Sequence, residues 1–115
     1  MLKMFKNCKI LLLSLFLFIG SKSSLAQCPQ FFDSQGILTN TPQWVSCFGI
    51  NYNLNLISDL NIGNYSIDWG DGSPITSGNG WLANTSIPHN YTATIANYNV
   101  TITLPDVPCV INGLV

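Results

Sequence analysis

Short runs of alternating polar and apolar residues constrain the fold of this chain more than any other feature. Residues 51–56 have the sequence NYNLNL, residues 65–69 have YSIDW and residues 98–104 have YNVTITL. Alternation with a period of two places every second side chain on the same face, which is typical of a β-strand with one buried face. No stretch of the chain after residue 26 keeps a helical period. The pattern therefore predicts an all-β fold.

Residues that favour turns separate these runs. They are Gly63–Asn64, Gly70–Pro74, Ser77–Gly80 and Pro105–Asp106. Glycine, proline, asparagine and aspartate each favour turns for a specific backbone reason. Several short strands at this spacing predict an antiparallel β-sandwich.

The N-terminal segment has the three-part layout of a secretory signal peptide. Three lysines among the first nine residues precede the apolar run 10–19, and Ser24 and Ala26 occupy the minus-three and minus-one positions of a cleavage site. The apolar run is too short to span a bilayer comfortably, since a spanning helix needs about 20 such residues. We expect residues 1–26 to be removed and the protein to be secreted or displayed on the cell surface, without membrane insertion. A retained signal anchor is the alternative.

Removal of this segment leaves a strongly acidic domain. All four lysines precede residue 27 and all five aspartates follow it, so residues 27–115 have a formal charge of −5. Phosphate backbones and anionic lipids are bound mainly by lysine and arginine, so we expect neither as a partner. The remaining length makes one small domain. We assign residues 27–44 to a lead-in or first strand and residues 45–115 to the sandwich.

Asp68 and Asp71 flank Trp69 in the segment IDWGDG and have three possible roles. Alternation places Asp68 on the solvent face, whereas Asp71 lies between two glycines, where it can accept backbone hydrogen bonds of its own turn. The carboxylates therefore diverge, while a glycosidase needs two convergent ones. Calcium needs six to eight oxygen ligands, more than this segment provides. We predict a turn, with calcium binding as the alternative and no other cofactor.

Three motifs in this order resemble the PKD domain, an immunoglobulin-like β-sandwich of exported bacterial proteins. Trp69-Gly70-Asp71-Gly72 corresponds to the family's F-G-D-G, His89-Asn90-Tyr91 to its H-x-Y, and Tyr98–Leu104 to its last strand. The match covers residues 45–104. Ile67 departs from the family pattern, which has a tryptophan there, but it is apolar and inward by alternation.

The resemblance implies that the aspartate and histidine of these motifs, Asp71 and His89, are framework groups. It implies a non-enzymatic spacer, adhesion or protein-binding module beside neighbouring domains of a larger surface or secreted protein, with proteins or polysaccharides as partners. We expect no metal site from His89 and the cysteines, because no C-x-x-C spacing is present.

The alternative is a carbohydrate-binding accessory domain of a secreted hydrolase. Its aromatic platform would be drawn from Trp44, Trp81, Phe31 and Phe32, unless these side chains belong to the core. Trp81 is the strongest candidate for an exposed contact, because it lies in the segment SGNGWLANTS, which we interpret as a polar, glycine-rich loop.

Three cysteines, Cys28, Cys47 and Cys109, remain after cleavage, and in an exported protein we expect two of them to pair. Strand directions in a sandwich place Cys28 and Cys109 at the same end and Cys47 at the other, which favours a Cys28–Cys109 disulfide. The family resemblance instead implies Cys47–Cys109. Both pairings remain open from the sequence.

The C-terminal residues 109–115, CVINGLV, begin another apolar strand. An apolar edge strand without lysine or proline is a template for pairing with another chain. We therefore expect the sandwich to continue beyond Val115 in a longer protein and the isolated domain to associate.

Overall fold

The computed structural model of the chain describes residues 27–45, 52–91 and 97–115. The proposed signal peptide and Cys47 lie outside the described residues. The described residues form ten β-strands and no helix, so the predicted all-β class is confirmed. The strands are β1 (Phe31–Phe32), β2 (Leu38–Thr39), β3 (Tyr52–Asn53), β4 (Leu56–Ile57), β5 (Ile62–Asp68), β6 (Thr76–Trp81), β7 (Ser86–Ile87), β8 (Asn90–Tyr91), β9 (Asn99–Leu104) and β10 (Cys109–Leu114).

The largest sheet has four antiparallel strands in the order β10-β9-β5-β6. Its register places Ile102 of β9 opposite both Ile111 of β10 and Ile67 of β5. All three isoleucines are buried. Alternation in each strand therefore directs one row of β-branched side chains into the core.

The pairs β3–β8 and β4–β7 form one longer antiparallel pairing of residues 52–57 with residues 86–91. Leu56 lies opposite Ile87, and between the two strand pairs Leu54 and His89 exchange backbone hydrogen bonds of 2.9 and 3.2 Å. β1 pairs with β2 and is joined to this layer by an antiparallel bridge between Phe31 and Ser58.

Side chains from both groups of strands meet in one apolar core, an arrangement consistent with a β-sandwich. The predicted inward faces of two runs are confirmed, since Leu54 and Leu56 are buried and so are Val100, Ile102 and Leu104. The buried cluster comprises Phe31, Trp44, Leu54, Leu56, Ile62, Ile67, Trp69, Trp81, Tyr91, Val100, Ile102, Leu104, Cys109 and Ile111.

The N-terminal segment is part of this fold and contacts both layers. After β1 and β2, the Trp44 N–H donates to the Leu114 carbonyl at 2.8 Å, and the Leu114 N–H donates to the Pro42 carbonyl at 3.0 Å. The Trp44 ring occupies the space where a side chain at Gly113 would lie. The C-terminal end of β10 is therefore paired on its outer side.

Two of the predicted turns, Gly63–Asn64 and Ser77–Gly80, are wrong, because these residues lie within β5 and β6. Their glycines allow close approach instead of chain reversal. A Cβ atom at Gly63 would lie 2.6 Å from a carboxylate oxygen of Asp106, and one at Gly78 would lie 2.6 Å from the Tyr65 hydroxyl. Sequence reasoning cannot separate these two uses of glycine without the register.

Cys28 and Cys109 form a disulfide with a Cα–Cα distance of 5.9 Å. The pairing predicted from strand directions is confirmed, and the alternative Cys47–Cys109 pairing is wrong. Cys109 is the first residue of β10 and is buried. The disulfide therefore fastens the N-terminal segment to the last strand.

Candidate functional site

The segment that follows β5 turns sharply, and both of its carboxylates hold the turn. Asp68 Oδ1 accepts the Gly70 N–H at 2.9 Å, and Asp71 Oδ1 accepts the Ser73 N–H at 3.0 Å. Gly70 and Gly72 have φ angles of 75° and 78°, in the left-handed region that favours glycine. The segment is thus a turn, as predicted, and its two carboxylates have separate local partners.

The second oxygen of Asp71 faces His89. The distance from Asp71 Oδ2 to His89 Nε2 is 2.9 Å, and only 8% of the Asp71 side chain and 13% of the His89 side chain are exposed. His89 follows Pro88 and lies between β7 and β8, where its backbone bonds to Leu54 fix its position. The turn after β5 is therefore joined to the opposite layer through a side-chain contact.

Aromatic rings extend this contact. The His89 ring stacks on Trp69 with centroids 4.2 Å apart and an interplanar angle of 8°. Tyr91 meets His89 edge-on at 4.7 Å and stacks on Tyr98 at 4.6 Å. We call Trp69, Asp71, His89, Tyr91 and Tyr98 the motif cluster. The structure thus brings together all three of the motifs found in the sequence.

The polar ends of the rings in the motif cluster are bonded internally. The indole N–H of Trp69 donates to Thr76 Oγ1 at 2.7 Å, and the Tyr91 hydroxyl donates to the Trp69 carbonyl at 3.3 Å. Thr76 was not predicted from the sequence, because its place beside Trp69 follows from the register, in which Thr76 lies opposite Ile67.

Electrostatics favour the ionised form of Asp71. Burial alone would raise the pKa of Asp71, but its contacts with Ser73 and His89 outweigh burial and lower the pKa from 3.8 to about 2. The Ser73 hydroxyl is buried without a hydrogen-bond partner among the described residues. The groups that contact the Asp71 carboxylate are therefore the Ser73 N–H and the His89 ring. Burial, the charge of Asp71 and the neighbouring Tyr98 raise the pKa of Tyr91.

Chemically, the carboxylates of this segment are bonded to neighbouring groups of the fold. The oxygens of Asp71 bond to Ser73 and His89, while exposed Asp68 bonds within its own turn, so the two carboxylates do not converge. Within residues 27–45, 52–91 and 97–115, no group of three or more His, Cys, Asp or Glu side chains could hold a metal ion.

The predicted aromatic platform is corrected by the structure. Phe31, Trp44 and Trp81 are 0%, 5% and 4% exposed, and only Phe32 reaches 36%. Phe31 packs against Trp81 at 5.3 Å and against Trp44 at 6.4 Å. These rings are buried because the N-terminal segment lies over the sandwich core. Trp81 is the last residue of β6 and not part of a loop.

A cleft of about 210 Å³ lies along the N-terminal segment, apart from the motif cluster. Its lining is mostly polar, and Asp33 Oδ1 in it accepts the N–H groups of Gln35 and Ile37. That carboxylate therefore shapes the loop between β1 and β2. The cleft is lined by Asp33, Ser34, Gln35, Ile37, Thr39, Thr41, Gln43 and Val45.

The described residues include no helix that could span a membrane. Comparison of the chain with protein-family models, with curated proteins and with solved structures finds no match.

Proposed function

We propose that this chain is an exported, non-enzymatic module with an immunoglobulin-like sandwich similar to the PKD domain. It acts as a spacer, adhesion or protein-binding domain of a larger surface or secreted protein. Residues 1–26 serve as the signal peptide and are removed. The Cys28–Cys109 disulfide supports an oxidising location, since such bonds persist mainly outside the cytosol.

The strand order supports the immunoglobulin-like assignment. The sheet β10-β9-β5-β6 corresponds to a G-F-C sheet extended by one strand, and β1, β3–β4 and β7–β8 correspond to strands A, B and E of the facing sheet. The bonds of Pro42 and Trp44 to Leu114 place the N-terminal segment beside the last strand as well.

The internal bonding of the motif cluster supports a framework role. Asp71, the most strongly perturbed carboxylate of the described residues, is largely buried and holds Ser73 and His89. Structural contacts shift pKa values as well as functional sites do. Here the geometry favours a framework role.

The carbohydrate-binding alternative has lost its main support. Stacking on a sugar needs an exposed aromatic face, and Trp44 and Trp81 are buried. We therefore place protein contacts and spacing ahead of polysaccharide binding.

Export and the absence of catalysis can be tested together. We expect the protein produced by an export-competent cell to begin at Gln27 and to be found outside the cytoplasm. We expect its hydrolysis of p-nitrophenyl esters and glycosides to equal that of the Asp71→Asn variant. An uncleaved cytoplasmic protein with reduced cysteines would contradict export, and turnover that the variant loses while still folded would contradict the framework role.

A further inference from the structure

The sheets of this protein have several edges, and they differ in how they are protected against pairing with another chain. Edge strands expose backbone N–H and C=O groups, and proteins usually protect them by shortness, proline, charge or a covering segment. β2 has only two residues, Pro88 interrupts the β7–β8 edge, and Pro42 and Trp44 cover the end of β10.

The outer edge of β6 has the least protection among the edges of the described residues. β6 is six residues long and terminates the four-stranded sheet. It contains no proline and no charged residue, and Ser77, Gly78, Asn79 and Gly80 are all exposed. Small side chains leave the backbone accessible. The φ angle of 84° at Gly80 makes the strand irregular only near its C-terminal end.

Two apolar side chains flank this edge. Ile75 immediately precedes β6 and Leu82 immediately follows it, with exposed fractions of 61% and 57%. Exposed apolar groups beside an open backbone edge add burial to the hydrogen bonds that a partner strand would form.

The distribution of charge indicates which partner fits this edge. Residues 27–115 carry five aspartates and no lysine or arginine, so two copies repel each other over most of their surface. Residues 72–105, which include β6 and both flanking apolar residues, contain no Asp, Glu, Lys or Arg. Asp106 approaches β6 only through Asn64 on the neighbouring strand, whose side chain bonds to Asn79. Exposed Asp68 lies near the start of this edge, one residue beyond Ile67, which pairs with Thr76. Away from that end, this side is where a second copy can approach with least repulsion.

We propose that the outer edge of β6 pairs antiparallel with the same edge of a second copy of this chain. A two-fold axis relates the copies, so each contributes the same surface. The interface is one strand pair and is weak in solution, but copies tethered side by side on a surface have a high effective concentration. The pairing does not depend on the proposed function, which contributes only the surface on which copies would be tethered.

The test is sedimentation of the export-processed protein from about 10 μM to about 1 mM, in a Cys47→Ser background that prevents thiol-linked dimers. We expect a reversible dimer that tightens as salt increases, because salt screens the repulsion between acidic copies. Ser77→Glu places like charges on the pairing edge and should weaken the dimer by at least about tenfold. Val110→Glu is the matched control, since Val110 is 60% exposed on the strand at the other end of the same sheet.

Hydrogen exchange gives a second readout that needs no variant at β6. The amides of residues 76–81 should become more protected as the protein concentration rises. A protein that remains monomeric throughout the range would overturn the proposal. So would a dimer that Ser77→Glu leaves intact, or one that Val110→Glu weakens as strongly as Ser77→Glu.

Discussion

At Asp71, burial and hydrogen bonding act on the same carboxylate in opposite directions, and the hydrogen bonds dominate. Because the pKa of Asp71 is about 2 in the folded protein and 3.8 ordinarily, the unfolded chain binds more protons between these values. The resulting stabilisation is fully present above pH 4 and is lost as the pH falls towards 2. This pH window is set by one side chain of the motif cluster.

Replacement of Asp71 by asparagine should therefore lower the free energy of unfolding by about 2 kcal/mol at pH 7. The difference from wild type should disappear near pH 2. Urea unfolding across this pH range measures it. Asp68→Asn is the matched control, because Asp68 belongs to the same turn but is exposed and bonds only to Gly70, and it should cost less than about 1 kcal/mol. Equal losses in the two variants would contradict the assignment.

The two glycines of the turn offer a second matched pair. Gly70 and Gly72 have similar positive φ angles, yet a Cβ atom at Gly70 would overlap the Asn99 carbonyl, whereas one at Gly72 would meet nothing within 4 Å. Gly72→Ala should cost about 1 kcal/mol for the left-handed backbone alone. Gly70→Ala should cost at least about 3 kcal/mol, because the backbone of Asn99 must also move. Thermal unfolding of both variants tests this order, and the reverse order would show that the turn packs differently.

At the scale of elements, the N-terminal segment is stabilised by both covalent and hydrogen bonds. Cys28 is linked to the first residue of β10, and Pro42 and Trp44 bond to its last residue, Leu114. A small domain buries a limited core, so a cross-link over a long loop contributes a large share of its stability.

The disulfide closes a loop with a sequence separation of 81 residues. The double variant Cys28→Ser/Cys109→Ser should therefore lose about 4 kcal/mol of unfolding free energy by the loop-entropy relation. Cys47→Ser should lose much less, since it leaves this disulfide intact. Chemical denaturation measures both, and non-reducing peptide mapping should return the Cys28–Cys109 fragment. A Cys47–Cys109 fragment would contradict the described arrangement.

The alternation of polar and apolar residues correctly predicted which strand positions are buried. The predictions from glycine were wrong where a glycine lies within a strand and allows close packing. Inward positions such as Leu56, Ile67 and Ile102 followed directly from a period of two. Gly63 and Gly78 suggested turns, because the side chains that approach them, Asp106 and Tyr65, are identified only by tertiary packing. Trp81 was expected in a loop because the glycines that precede it, Gly78 and Gly80, also suggested a turn.

Most residues of the candidate site could be predicted from the sequence, but their geometry could not. Three separate motifs named Trp69, Asp71, His89 and Tyr91, but their spacing along the chain says nothing about the stacking of His89 on Trp69. Thr76 escaped prediction because a single hydroxyl residue in a polar stretch carries no pattern. Its role appears only when β5 and β6 pair.

For the whole molecule, burial of the aromatic side chains makes polysaccharide binding through tryptophan unfavourable. Trp44, Trp69 and Trp81 are each at most 5% exposed. Titration with soluble glucans, chitin oligosaccharides and xylan should therefore produce no saturable change in tryptophan fluorescence. Denatured protein provides the control for non-specific quenching. A saturable change in the native protein alone would restore the carbohydrate-binding alternative.

The motif cluster joins the two layers of the molecule. Trp69 follows β5 of the four-stranded sheet, whereas Tyr91 lies in β8 and His89 lies between β7 and β8, in the facing layer. A framework contact of this kind couples its members in stability, because either partner alone leaves the other's polar group unsatisfied.

The most direct measurement is a double-mutant cycle of the unfolding free energy at pH 7 with Asp71→Asn, His89→Gln and both together. Since the Asp71 and His89 side chains are in contact and largely buried, we expect a coupling energy of at least about 1 kcal/mol. The matched cycle of His89→Gln with Asp106→Asn should show no coupling, because Asp106 bonds to Asn64 instead. Single variants as stable as wild type, with no coupling between Asp71 and His89, would contradict the framework role.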